Sequence, residues 1–186
     1  SGGLDNLTIT NNIVGPAVSG ADNIGGSGIT VQNALNVTIS NNLVQNISTI
    51  NSTKAGIFLS SNINLATVSQ NTITNIYSSG ISSGTSAICG INLGSGVINT
   101  TVDANYISTI AGTNSSGCAA KGIIINTTNA TSNNTISNNV ITDVFAYGDT
   151  GSAYWVMGMD VEGTTGKVNI YNNSVNLFGS HVGRSF

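Results

Sequence analysis

Ile136-Ser137-Asn138-Asn139-Val140-Ile141 is a six-residue run with apolar residues at both ends and amides between them. It has five counterparts: Ile9-Thr10-Asn11-Asn12-Ile13-Val14, Ile39-Ser40-Asn41-Asn42-Leu43-Val44, Val68-Ser69-Gln70-Asn71-Thr72-Ile73, Val102-Asp103-Ala104-Asn105-Tyr106-Ile107 and Ile170-Tyr171-Asn172-Asn173-Ser174-Val175. The anchoring residues Asn12, Asn42, Asn71, Asn105, Asn139 and Asn173 are spaced by 30, 29, 34, 34 and 34 residues. A fixed core recurring at that period with variable connectors is the pattern of a solenoid, in which each unit buries its apolar face against its neighbours.

The columns around each anchor carry the next level. Three residues before it stand Ile9, Ile39, Val68, Val102, Ile136 and Ile170, and two after it Val14, Val44, Ile73, Ile107, Ile141 and Val175. Five after it, from the second copy on, come Ile47, Ile76, Ile110, Val144 and Phe178. β-Branched residues alternating with polar ones read as strand. A second strand signal opens on glycine: Gly28-Ile-Thr-Val31, Gly56-Ile-Phe-Leu59, Gly90-Ile-Asn-Leu93, Gly122-Ile-Ile-Ile125 and Gly158-Met-Asp-Val161. Each unit therefore holds about three short strands, and no stretch has the spacing of an amphipathic helix. An inward asparagine needs hydrogen-bond partners, and an identical asparagine one coil above and below supplies them as an amide ladder. The expectation is an all-β chain of parallel stacked coils, one domain over residues 1–186, about six coils and roughly 29 Å high at 4.8 Å per layer.

These Ile-Ser-Asn-Asn-x-Val and Gly-Ile-x-Val runs resemble the repeats of right-handed parallel β-helix proteins such as pectate lyases, other polysaccharide-processing enzymes and tailspikes. The last unit, Gly158 to Phe178, is also similar to units of very large secreted repeat proteins of Bacteroidota-type bacteria. The resemblance implies a right-handed coil. It does not select an activity, because this scaffold hosts enzymes, adhesins and structural proteins alike.

Composition narrows the function. Apolar residues make up 39% and charged residues 6%, which is opposite to a disordered chain. A net charge of −3 argues against nucleic acid and an anionic membrane surface, and no apolar stretch is long enough to span a bilayer. Low charge with abundant Asn, Ser, Thr and Gly suits an extracellular or cell-surface protein. The chain opens on Ser1 and reads as a processed product or an excerpt of a longer repeat protein.

Candidate chemistry is sparse. The acids are Asp5, Asp22, Asp103, Asp143, Asp149, Asp160 and Glu162; only Asp160 and Glu162 share one strand face. Lys54, Lys121, Lys167 and Arg184 are scattered, and the sequence places none of them beside two acids, as a lyase or hydrolase site would require. No catalysis, metal or cofactor is expected. Cys89 and Cys118 lie in neighbouring units, as a disulfide or as two buried thiols. Phe145, Tyr147, Tyr154 and Trp155 are assigned to the longest connector, where Tyr147, Tyr154 and Trp155 could stack on glycan rings or touch another subunit. His181, Arg184 and Phe186 are candidates for an end-to-end contact.

Leu4 to Val14 and Val168 to Phe178 both carry the repeat, so unpaired backbone is expected at either end. The functional expectation is a structural or adhesive β-helix that associates head to tail with copies of itself into a filament or surface fibre. The alternative is a glycan-binding or polysaccharide-degrading module. A third, ice binding, needs a regular outward Thr array, and the column Thr10, Ser40, Ser69, Asp103, Ser137, Tyr171 interrupts it twice.

Overall fold

The structure, a computed structural model, describes residues 3–51, 53–81, 87–147 and 156–177, with the backbone of Arg184–Ser185. The repeating strands stack in parallel into three sheets. The leading sheet, before each ladder asparagine, runs through Leu4–Asp5 and Thr8–Thr10, then Ala34–Ser40, Ile63–Ser69, Val97–Ile98 with Thr101–Asp103, Asn133–Ser137 and Lys167–Tyr171. The trailing sheet, after it, stacks Ile13–Val14, Leu43–Thr49, Thr72–Ser78, Tyr106–Gly112, Val140–Tyr147 and Ser174–Asn176. The glycine sheet stacks Ile29–Val31, Ala55–Leu59, Ile88–Leu93, Ala120–Thr127 and Val156–Gly163. The chain is a parallel β-solenoid of about five complete turns, and no helix occurs among the described residues.

Register follows the sequence columns. Ile39 pairs with Val68, Val68 with Val102, Val102 with Ile136, and Ile136 with Ile170. The inward stacks Ile39–Val68–Val102–Ile136, Val44–Ile73–Ile107–Ile141 and Ile47–Ile76–Ile110–Val144 are all fully buried. Burying each such side chain is worth about 1.5–3 kcal/mol. These stacks make the tube's interior apolar without many aromatic rings.

Two backbone details explain spacings that simple alternation does not. The residue just before each ladder asparagine has a left-handed backbone: Asn11, Asn41, Gln70, Ala104, Asn138 and Asn172 have φ of 58°, 56°, 56°, 53°, 55° and 55°. Asparagine tolerates that conformation better than other side chains. In the Asn-Asn pairs, then, the first amide turns the corner and the second builds the ladder. Likewise Asn46, Asn75, Thr109 and Asp143 have φ of 52°, 58°, 55° and 51°. Each bulge resets the alternation, so positions two and five after the anchor both face inward.

The glycines opening the third sheet answer to crowding. A Cβ on Gly90 would lie 2.5 Å from Cγ2 of Ile107 and 2.8 Å from the oxygen of Gly122. Only a residue without a side chain lets the glycine sheet meet the trailing sheet there.

The ladder is continuous. Asn42, Asn71, Asn105 and Asn139 are at most 1% exposed. The backbone N–H and side-chain Nδ2 of Asn71 both donate to Oδ1 of Asn105, at 3.0 and 2.9 Å. Asn105 donates in the same way to Asn139 at 3.0 and 2.9 Å, and its Nδ2 also reaches the oxygen of Val68 at 2.9 Å. The same bonds run from Asn12 through Asn173.

The connector placement of Phe145 and Tyr147 is corrected. Phe145 and Tyr147 lie within the strand Val140–Tyr147 rather than in a connector, because its pairing with Tyr106–Gly112 continues to Ala146. Phe145 is 5% exposed and packs edge-on against Tyr147, with centroids 6.0 Å apart. Tyr77 also lies in a strand and shares that column, pairing with Ala111, which pairs with Phe145. Tyr154, Trp155, Asp149, Phe178, His181 and Phe186 lie outside the described residues. The backbone of Arg184–Ser185 pairs antiparallel with Ala146–Tyr147, so it is engaged within its own chain.

Candidate functional site

The outer face of the glycine sheet gathers most of the chemistry on the chain. Two residues after each sheet-opening glycine, register stacks Thr30, Phe58, Asn92, Ile124 and Asp160. Two further on, Asn126 pairs with Glu162, beyond Ser60 and Gly94 of the preceding coils. These columns line a groove of about 310 Å³ with Phe58, Ser60, Asn92, Gly94, Ser95, Ile124, Asn126 and Glu162 on its walls. The groove crosses successive coils, so its long direction follows the solenoid axis.

At one end of it lies a charged cluster that sequence spacing did not bring together. Lys121 is 0% exposed and its Nζ contacts Oδ2 of Asp160, and Oε1 of Glu162 at 2.8 Å. Parallel stacking places Ala120–Thr127 beside Val156–Gly163, which joins residues 39 and 41 apart in sequence. The expectation that no basic residue sits beside two acids is therefore overturned. The missing signal was the register itself: Lys121 precedes Gly122, and its chain reaches forward along the face to the next coil's acids.

Burial raises the pKa of Glu162; contact with Lys121 opposes the rise, and the neighbouring Asp160 adds to it. The carboxyls of Asp160 and Glu162 are close enough to interact and share one ammonium.

Behind the groove, Ala55, Ala87, Cys89, Ala119 and Ile124 form a small apolar cluster with Phe58. No disulfide joins Cys89 to Cys118, and both are buried. Register opposes Cys89 to Lys121, three residues past Cys118, so the two sulfurs are not brought together. Cys118 Sγ instead lies 3.0 Å from the oxygen of Tyr147, to which its S–H donates, and 3.4 Å from that of Asn114. Burial pushes the Cys89 thiol up to about 12, against the weaker pull of Lys121.

A larger hollow of about 450 Å³ lies at the first coils of the leading sheet, lined by Gly3, Asp5, Asn33, Ala34, Leu35, Asn62 and Asn64. It has no aromatic ring and no cation, and it borders the two-residue strand Leu4–Asp5. Its size reflects a short outer strand more than a shaped site. Among the described residues no group of three His, Cys, Asp or Glu side chains is placed to hold a metal ion.

Fold and face together define a parallel β-solenoid with a polar lateral groove that holds one aromatic ring. No family model, curated protein or solved structure matches the chain.

Proposed function

We propose that this chain is an extracellular adhesive β-helix that holds glycan chains along the outer face of its glycine sheet and does not cleave them. The observation that carries this reading is the groove from Phe58 to Glu162. Its walls offer a ring for stacking on a sugar face, amides for paired hydrogen bonds, hydroxyls and a carboxylate. Coils about 4.8 Å apart repeat at close to the length of one sugar unit. Kinship with polysaccharide-processing β-helices belongs to the same proposal. Against turnover stands the burial of Lys121, whose ammonium is held by two carboxylates instead of facing a substrate.

Isothermal titration against neutral and acidic polysaccharides tests the reading. Phe58→Ala should weaken binding by about 1 kcal/mol, roughly fivefold, through lost stacking. Binding that is absent, or indifferent to Phe58, Asn92 and Asn126, would remove it.

A second reading, head-to-tail association of copies, has its own observation. The ladder is polar: each asparagine donates its backbone and side-chain N–H to Oδ1 of the next. Among the described residues, Oδ1 of Asn12 receives no donor and the backbone N–H of Asn173 reaches no acceptor. A copy stacked with its Asn12 over Asn173 would satisfy both. Light scattering over a concentration series should then show growth beyond the monomer; a constant monomer mass speaks against it.

A further inference from the structure

We propose that Lys121 and Asp160 condense within the folded chain to an isopeptide bond, Nζ to Cγ, with Glu162 as the proton relay. The covalent link would tie neighbouring strands of the glycine sheet, Ala120–Thr127 and Val156–Gly163, across their outer face. It is a modification independent of whether the groove binds glycans.

Three observations converge. Lys121 is 0% exposed, so its amine is shielded from water. Its Nζ has two carboxylic neighbours, and the nearer oxygen belongs to Asp160. Glu162, at 2.8 Å from the same nitrogen, is within reach to carry a proton to and from it, and burial raises its pKa in the direction a relay needs.

The chemistry balances without an oxidant or co-reactant. One ammonium proton passes by way of Glu162 to the Asp160 carboxyl, leaving Lys121 as an amine. The nitrogen lone pair adds to Cγ of Asp160 and forms the C–N bond. The tetrahedral adduct loses its second nitrogen proton, again through Glu162, to the departing hydroxyl. The Cγ–O bond breaks, one water leaves and Glu162 ends as it began. Held reactants of this kind react at effective molarities of about 10⁵–10⁸ M. The product replaces two poorly solvated charges by a neutral amide, which burial favours.

Intact-mass spectrometry of the purified chain is the test, followed by peptide sequencing after digestion with an acid protease. The expected result is a chain lighter than its sequence by one water, with a peptide containing Lys121 joined to one containing Asp160. Lys121→Arg and Asp160→Ala should both keep the full mass, and Glu162→Gln should leave most of the chain unlinked. Circular dichroism of the variants establishes that they fold. A folded wild-type chain at full mass overturns the proposal, as does a water lost elsewhere or a link to Glu162 in place of Asp160. Complete linking in Glu162→Gln overturns the relay.

Discussion

Replacing Asn105 with alanine removes the side chain on which two layers of the ladder depend. In the intact chain, Oδ1 of Asn105 accepts both the backbone N–H and one Nδ2 hydrogen of Asn71. Without it those two donors are stranded in the interior, since Asn71 is 1% exposed. A buried donor left without a partner costs about 1–3 kcal/mol, so the expected loss is about 2–6 kcal/mol. The lost bond from Nδ2 to the oxygen of Val68 pushes the value toward the upper half of that range. The internal control is Asn12→Ala. Asn12 is exposed and only donates, to Thr10 and Asn42, so its removal strands no ladder donor and should cost about 1 kcal/mol or less. Urea melts followed by far-ultraviolet circular dichroism provide the comparison, with amide hydrogen exchange at Asn71 and Asn105 reporting local opening in a chain of stacked repeats. Equal losses at Asn12 and Asn105, or a loss below about 1 kcal/mol at Asn105, would refute the argument that amide stacking holds the coils.

Ala104 occupies the left-handed corner position that its column gives to asparagine or glutamine, with φ of 53°. Ala104→Asn should therefore stabilise the chain by roughly 1 kcal/mol, read as a rise in urea midpoint; an unchanged or lower midpoint contradicts it. The Cys89 thiol, raised to about 12, should resist alkylation in the folded chain at mildly alkaline pH and react promptly once the chain is unfolded. Rapid native labelling of Cys89 would show that the outer apolar cluster is open. Glu162 titrates above its ordinary 4.5, so between that value and its folded-state value the folded chain holds a proton that the unfolded chain has released. Stability should fall as pH rises through this window, and Glu162→Gln should lack that slope; parallel pH profiles would contradict the assignment. Amide formation at Lys121 would remove the opposing pull of the ammonium and leave the direction unchanged.

The solenoid was legible because its strongest constraint repeats. An inward amide must recur at the same height of every coil, and the column from Asn12 to Asn173 shows it directly. The Asn-Asn doublets concealed a second reason for asparagine: Asn11, Asn41, Asn138 and Asn172 serve backbone geometry, which a one-letter pattern does not separate from hydrogen bonding. The bulges at Asn46 and Asn75 were hidden similarly behind an apolar spacing of three. The charged cluster was missed for a different reason. Lys121 meets Asp160 and Glu162 only through the register of adjacent coils, and the connector between those strands has no fixed length from unit to unit. Reading down the second residue after each glycine would have aligned Phe58, Asn92, Ile124 and Asp160 and pointed to the groove. Phe145 and Tyr147 sit where the repeat columns end, so only the pairing with Tyr106–Gly112 shows that the strand reaches them.

The functional account turns on the glycine sheet's outer face receiving a glycan and leaving it intact. Nuclear magnetic resonance of the isotope-labelled chain, titrated with defined oligosaccharides, observes both partners in one sample. The account expects shifts centred on Phe58, Asn92, Ile124 and Asn126, with no new reducing or unsaturated sugar ends over prolonged incubation. Shifts confined to the first and last coils, or steady release of new sugar ends, would contradict it.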